Sequence, residues 1–355
     1  MLDRLPGANL ALISVPGDFA ATEARRALHA GLNALMFSSG VPLEEERALK
    51  LLAREKGLLL MGPDCGTALI GGVPLAFANA VPRGDVGIVS ASGTGLQEVA
   101  CLIARLGAGI SHGIGVGGRD LDERVGALGT LAAIDVLEKD PSTRSIVLLS
   151  KPPAPRVAEQ VLARLSRSGK RRVVCFLGLD KPGLARTLLE AAETATGQKL
   201  PEEKLDRKKV KGHVEALYCG GTLCSEAELI FRRRGLMGQP GGHRFVDLGD
   251  ERFTRGRPHP MIDPEIRNQH IARASADAAV GVILVDVVLG YGSHADPAGV
   301  LLKVKTEKTV VASVTGTDAD PQVRSRQVAM LRAAGVLVAP SNAHAAEWAA
   351  ALVSY

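Results

Sequence analysis

Between residues 85 and 178 short apolar runs alternate with amphipathic stretches without interruption. DVGIVSA (85–91) precedes GLQEVACLIARLG (95–107), and GISHGIGVGG (109–118) precedes VGALGTLAAIDVLEKD (125–140). SIVLLS (145–150) then precedes AEQVLARLSRSG (158–169), and RVVCFLG (172–178) closes the series. Runs that are apolar on both faces suit strands of a parallel sheet covered by helices on each side. Parallel neighbours need a crossover connection, and such crossovers are right-handed. This alternation predicts an α/β fold built from three-layer, doubly wound parallel-sheet domains.

The flanking segments follow the same rule. ALISVP (11–16), ATEARRALHAG (21–31), ALMFS (34–38), LEEERALKLLAREKG (43–57) and LLLMG (58–62) read as βαβαβ. Gly31 and Gly57 stand where the two helices stop. No Gly-rich βα turn precedes this series, so it reads as the later part of a nucleotide-binding-type domain. From 213 onwards, VEALYC (214–219), TLCSEAELIFRRRG (222–235), VGVILVDVVLG (280–290), TVVASVTG (309–316), a helix near 321–334 and VLVA (336–339) form another α/β series around a long polar loop. The charged, weakly periodic KLPEEKLDRKKVKG (199–212) reads as a linker. The expected organisation is an incomplete Rossmann-like domain (1–82), a flavodoxin-like domain (83–198), the linker, and a second flavodoxin-like domain (213–355).

Composition narrows the function classes. With only 3% aromatic residues, a base-stacking nucleic-acid platform is not expected. The net charge of +5 is modest for 355 residues and fits, at most, a weak attraction for small anionic metabolites. There is no apolar stretch long enough to span a bilayer, and MLDRLPGANLALIS has no signal-peptide pattern. Cys65, Cys101, Cys175, Cys219 and Cys224 are odd in number and widely spaced, as expected of reduced thiols in a cytoplasmic protein. No metal site is expected.

Two turns have the construction of anion sites. In SASGTGLQEVA (90–100), Ser92, Gly93, Thr94 and Gly95 lie where an apolar strand gives way to a helix. A helix start presents unpaired N–H groups and partial positive charge, and glycines let an oxyanion approach the backbone. Ser92 or Thr94 can cap the helix or donate a hydroxyl. Gly220, Gly221 and Thr222 in CGGTLCSEA (219–227) repeat the pattern. Both are also ordinary capped βα turns; together they predict two helix starts facing a common dianion such as phosphate or an acyl phosphate. Neither matches GxxxxGK[ST], and GIGVGG (113–118) is followed by Arg119-Asp120-Leu121-Asp122, which weakens it as a dinucleotide signal.

Arg119, in a loop after a strand, is the candidate to clamp a carboxylate or phosphate; the alternative is a salt bridge to Asp120 or Asp122. His259, between prolines in RPHPMIDP, is the candidate oxyanion donor, the alternative being a hydrogen bond that fixes its own loop. Lys151 either faces the same edge or lies on the surface, while His112, His213, Asp263 and Asp286 read as structural.

MGPDCGT (61–67), GVPLAFAN (72–79), SASGTGLQEV (90–99), IGVGGRDL (114–121), VLLSKPP (147–153), DLGDERFTRGRPHPMIDP (247–264) and VTGTDADPQ (314–322) resemble the FdrA-like proteins of the succinyl-CoA synthetase (ADP-forming acyl-CoA ligase) superfamily. The resemblance covers nearly the whole chain. It implies a CoA-binding-type first domain, an α-chain-like ligase domain whose SASGTG helix points at the phosphohistidine phosphate, and a β-chain-like ligase domain whose CGGTLCSEA helix is its partner. The stretch LDKPGLARTLLEAAETATG (179–197) stands where the ligases carry a phosphorylated histidine and has none. No ATP-grasp domain is visible, and family members carry an additional N-terminal segment, so a truncated chain is one expectation. A phosphohistidine relay and ATP use are therefore not implied.

Three functions follow from the resemblance. One is a subunit of a phosphate-dependent carbamoyl or acyl transferase of the oxamate carbamoyltransferase type, in allantoin and purine breakdown. The second is a CoA-using acyl-CoA synthetase, and the third a non-catalytic metabolite-binding scaffold. The implied partners are a small anionic metabolite and the other subunits of a complex, with neither nucleic acid nor membrane.

Overall fold

The computed structural model describes residues 5–238 and 242–354, so the first four residues of the opening segment lie outside it. The chain forms two compact units. The first comprises Met1–Ala76, Arg83–Leu96 and Gly109–Leu184; the second comprises Phe77–Pro82, Gln97–Ala108 and Ala185–Tyr355.

In the first unit, β1 (Leu10–Ile13), α1 (Gly17–His29), β2 (Asn33–Met36), α2 (Leu43–Glu55) and β3 (Leu60–Met61) build a three-stranded parallel sheet in the order β1-β2-β3. Gly31 and Gly57 adopt φ of 80° and 66° just past the helices, a left-handed conformation that glycine enters without penalty. Leu28, Met36, Leu49 and Leu60 pack its core.

A hairpin follows, β4 (Thr67–Ile70) and β5 (Val73–Ala76), before β6 (Arg83–Ser90), α3 (Gly93–Arg105), β7 (Ile110–Gly115), α4 (Leu128–Lys139), β8 (Ser145–Ser150), α5 (Pro155–Ser166) and β9 (Arg171–Phe176). The six strands lie in the order β5-β4-β7-β6-β8-β9. β6 to β9 are parallel as predicted. The uniformly parallel expectation fails at one edge, where β4 pairs antiparallel with β5 and with β7. Gly71 and Gly72, at φ of 60° and 85°, make the tight turn; two residues with positive φ match the twist of a two-residue hairpin.

This order fixes where a ligand can sit. β6 feeds β7 on one side, and β7 then crosses back to β8 on the other. The helices leaving β6 and β8 therefore cover opposite faces, and a crevice opens at the carboxyl ends of these two strands.

The second unit holds α3 from Gln97 onwards and begins its own series with α6 (Leu188–Thr196), whose N-cap Thr187 hydroxyl accepts from Glu190 N–H at 3.0 Å. Residues 200–209 form neither helix nor strand. Then come β10 (Val210–Lys211), β11 (His213–Tyr218), α7 (Gly221–Arg233), β12 (Arg244–Asp247), α8 (Glu251–Thr254), α9 (Glu265–Ala276), β13 (Val280–Val288), α10 (Pro297–Leu301), β14 (Thr309–Thr315), α11 (Arg324–Ala333), β15 (Leu337–Ala339), α12 (Asn342–Leu352) and β16 (Val353–Ser354). Five strands form a parallel sheet in the order β12-β11-β13-β14-β15, and β10 pairs with β16. β13 is buried at every position, as expected of a central parallel strand.

Polar side chains knit this unit internally. Asn342, at the start of α12, donates its N–H to Glu98 Oε1 at 3.1 Å and its side-chain amide to Glu226 Oε2 at 2.8 Å. Leu188 N–H donates to Glu226 Oε1 at 2.6 Å, and the Thr315 hydroxyl donates to Glu98. Burial pushes the Glu226 carboxyl up to about 7, with Asn342 and Leu188 pulling it back and Glu98 adding to the rise.

A raised carboxyl binds its proton more tightly in the native state, so this contribution is present below the unfolded value and lost as pH rises through about 7. Buried histidines act in the opposite direction, so the test is a difference between variants. Glu226→Gln is expected to remove the part of the pH slope between about 4.5 and 7 that wild type shows. Urea unfolding at a series of pH values measures it; identical slopes in both proteins would contradict the assignment.

Candidate functional site

Each predicted anion turn lies at the carboxyl edge of its own sheet. In the first unit, Ser90 ends β6 and Gly93 begins α3. Ser92 caps the helix: its Oγ accepts from Gly95 N–H at 2.9 Å and its carbonyl accepts from Leu96 N–H at 3.1 Å. Ser90 Oγ in turn bridges the turn, donating to the Ser92 carbonyl at 2.7 Å. The N–H groups of Gly93 and Thr94 have no protein acceptor among the described residues. They are the donors that a first helical turn offers to an anion.

The crevice over this turn is lined by Asp64, Cys65, Thr67, Ser92, Gly93 and Gly117, but its volume is only about 10 Å³, room for a single water. A larger cavity of about 570 Å³ adjoins it, because Gly117 lines the one and Gly118 the other. The larger cavity is bordered by Arg119, Asp122, Arg124, Ser150, Lys151 and Pro152, from the loops after β7 and β8.

Close backbone approach shapes the crevice. A Cβ on Gly115 would lie 2.3 Å from the Thr67 carbonyl oxygen and 2.6 Å from Cys65 Sγ. On Gly117, where φ is +90°, it would lie 2.2 Å from the Pro63 carbonyl oxygen. Gly115 and Gly117 of the run GIGVGG therefore serve contact between the 62–67 segment and the end of β7, with no dinucleotide needed to explain them. Burial pushes the Cys65 thiol up to about 12, so it is no nucleophile near neutral pH.

Arg119 does not pair with Asp120 or Asp122. Its guanidinium donates to the Val41 carbonyl at 2.7 Å and stands 2.9 Å from Glu46 Oε2, off the line of a good hydrogen bond. Behind it lies a buried network that residue-by-residue reading missed. Lys50 Nζ donates to Glu46 Oε1 at 2.8 Å, Asp120 Oδ1 at 2.6 Å and the Val116 carbonyl at 3.0 Å. Asp120 also accepts from the Gly129 and Thr130 N–H groups, at 2.9 Å and 2.7 Å, at the start of α4. Two carboxylates thus meet two cations, and Arg119 is already neutralised. The signal was present: Glu46 and Lys50 stand one turn apart on the face of α2 that carries Leu49 and Ala53.

In the second unit the turn at Gly220, Gly221 and Thr222 starts α7. The Cys219 and Gly220 N–H groups donate to the two oxygens of Asp286, each at 2.8 Å. Arg267, only 2% exposed, stands 3.3 Å from Asp286 Oδ1, the oxygen that also accepts from Cys219. Burial raises the Asp286 carboxyl, while Arg267 opposes the rise. Asp286 is therefore the loop-fixing group expected of it. His259 lies beside the same turn: a Cβ on Gly249 would meet the Cys219 carbonyl oxygen and His259 Nε2, each at 2.6 Å. Its Nδ1 accepts from Met261 N–H at 3.2 Å, and burial lowers its pKa to about 4. A neutral ring accepting at Nδ1 carries its proton on Nε2. The contact fixes the loop and leaves Nε2 as the donor.

His112 Nδ1 accepts from Gly71 N–H at 3.0 Å and so pins the hairpin turn, and His213 is buried 3.7 Å from Glu215. Among the described residues no cluster of His, Cys, Asp and Glu is arranged for a metal ion, and no helix is long and apolar enough to cross a membrane.

Two variants test this geometry. Lys50→Ala strands two buried carboxylates and is expected to cost about 3–5 kcal/mol in a denaturant titration. Gly117→Ala forces a Cβ against backbone and is expected to lose at least about 1–3 kcal/mol, with a lower Tm by calorimetry.

Comparisons with known proteins follow the same lines. Residues 217–352 match the CoA-ligase family model. The chain is 44% identical over 391 aligned positions to YahF, an uncharacterized protein of Escherichia coli K12, spanning 96% of this chain and 76% of YahF. It is 30% identical to the alpha 2 subunit of a succinate–CoA ligase (ADP-forming) of Archaeoglobus fulgidus, over 64% of this chain and 77% of that subunit. It is 26% identical to SauD, a subunit of an ADP-forming sulfoacetate–CoA ligase of Bilophila wadsworthia, over 60% of this chain and 71% of SauD. With its parallel α/β sheets, glycine-lined first-unit crevice and these relatives, the chain belongs to the FdrA-like members of the succinyl-CoA synthetase superfamily.

Proposed function

We propose that this chain is a subunit of a phosphate-dependent carbamoyl or acyl transferase, of the oxamate carbamoyltransferase type used in allantoin and purine breakdown. The carrying observation is the first turn of α3, where the Gly93 and Thr94 N–H groups lack acceptors among the described residues, at the carboxyl edge of the sheet. The region 179–197 offers no histidine to carry a phosphoryl group. Phosphate held directly by backbone donors then acts as the nucleophile.

In this reaction a phosphate oxygen attacks the terminal carbamoyl carbon of oxalurate. The C–O bond forms, the C–N bond to the oxamate nitrogen breaks, and the phosphate proton passes to that nitrogen. Carbamoyl phosphate and oxamate leave, with charge and atoms balanced. Positioning contributes most, because phosphate needs no stronger base to be activated. The backbone donors meet the phosphate charge in a fixed array; Arg119 is already paired with Glu46, and His259 belongs to the turn of the second unit.

The second reading is acyl-CoA synthetase chemistry, favoured by the succinate–CoA and sulfoacetate–CoA ligase relatives. Thermal unfolding separates the two. Inorganic phosphate and carbamoyl phosphate at about 100 times their Kd are expected to stabilise the chain by about 2.7 kcal/mol, with CoA inert. Oxalurate phosphorolysis, assayed with and without candidate partner subunits, is expected to yield carbamoyl phosphate. Stabilisation by CoA alone favours the synthetase; stabilisation only by a partner protein leaves a scaffold.

A further inference from the structure

The cavity beside the α3 turn has an unbalanced charge. Arg124 pairs with Asp122 at 3.2 Å, Glu123 faces Arg156 at 3.8 Å, and Arg119 faces Glu46 at 2.9 Å. Lys151 is the cation on its wall with no carboxylate within salt-bridge distance among the described residues. It follows Ser150 at the carboxyl end of β8, on one side of the crevice that the strand order opens between β6 and β8. The Ala91 N–H donates to the Leu149 carbonyl at 3.0 Å, which ties the two strand ends together. Pro152 follows Lys151 directly and restricts its backbone to extended conformations, fixing the direction in which the side chain leaves the sheet.

We infer that Lys151 holds the carboxylate of a small carboxylated substrate, in a subsite next to, and separate from, the phosphate position at Gly93 and Thr94. The volume of about 570 Å³ lies in the range of small-molecule sites, and Leu121, Pro152 and Ala154 give it an apolar wall for a short carbon skeleton. A lysine ammonium is a compact point charge that suits a single carboxylate. This deepens the transferase reading, which it assumes: the carbamoyl donor carries a carboxylate on the part that leaves, set apart from the carbonyl it gives up.

The test uses the full chain and calorimetric titration with malonate, succinate and inorganic phosphate, with propionamide as the neutral control. Wild type is expected to bind one or both dicarboxylates and to ignore propionamide. Lys151→Ala and Lys151→Glu are expected to weaken dicarboxylate binding roughly tenfold or more, with phosphate affinity changed less than about twofold. Lys151→Arg is expected to recover most of the affinity. The side chain is exposed, so the Tm of each variant should equal that of wild type. Unchanged dicarboxylate affinity in Lys151→Ala, or a parallel loss of phosphate binding, overturns the assignment, as does a wild type that binds neither dicarboxylate. If dicarboxylate binding depends on Lys151 while oxalurate phosphorolysis is absent, the subsite stands and the transferase reading falls.

Discussion

The ammonium of Lys50 is the charge on which the first unit depends. It sits almost wholly buried between Glu46 of its own helix and Asp120 of the loop after β7. All three of its protons have acceptors. Asp120 in turn receives the first N–H groups of α4, so one carboxylate fixes both a helix start and the contact with α2. A buried ion pair of this kind repays its desolvation only when every donor and acceptor is used. Glu46 Oε2 is the exception, and Arg119 covers it from the half-exposed side. The loop that borders the larger cavity is therefore held in place by charges paired within the protein.

The glycines of 113–118 show how backbone spacing sets the site. Gly115 and Gly117 allow the 62–67 segment to lie directly against β7. The first-turn donors of α3 are left at the edge of a crevice with little free volume. Space for an organic ligand lies instead over the loops after β7 and β8. Charge at the helix start and room in the neighbouring cavity are thus supplied by different segments.

Much of this was readable in advance. The β6–β9 series, its helices and the stops at Gly31 and Gly57 followed from apolar runs and glycine placement. The β4–β5 hairpin was missed because its strands are only four residues each and its Gly71-Gly72 turn lies in a stretch to which no element was assigned. α12 escaped because an alanine-rich helix buried on most sides has little amphipathic contrast. α9 and β12 were hidden in a polar segment whose buried residues include Arg267 and Asn268, which pattern reading assigns to the surface. At the candidate site, the turns were visible as Gly-Ser/Thr clusters. The partners of Arg119 were not, because Val41 and Glu46 are more than seventy residues away in sequence and only tertiary packing brings them together.

The two helix starts differ in one respect. At Cys219 and Gly220 the protein supplies its own counter-ion, the Asp286 carboxylate, locked by Arg267. Such a turn keeps its shape whether or not solute is present, since its clamp is part of the chain. The approach to α7 is therefore a rigid abutment, its form set by charges the protein carries itself.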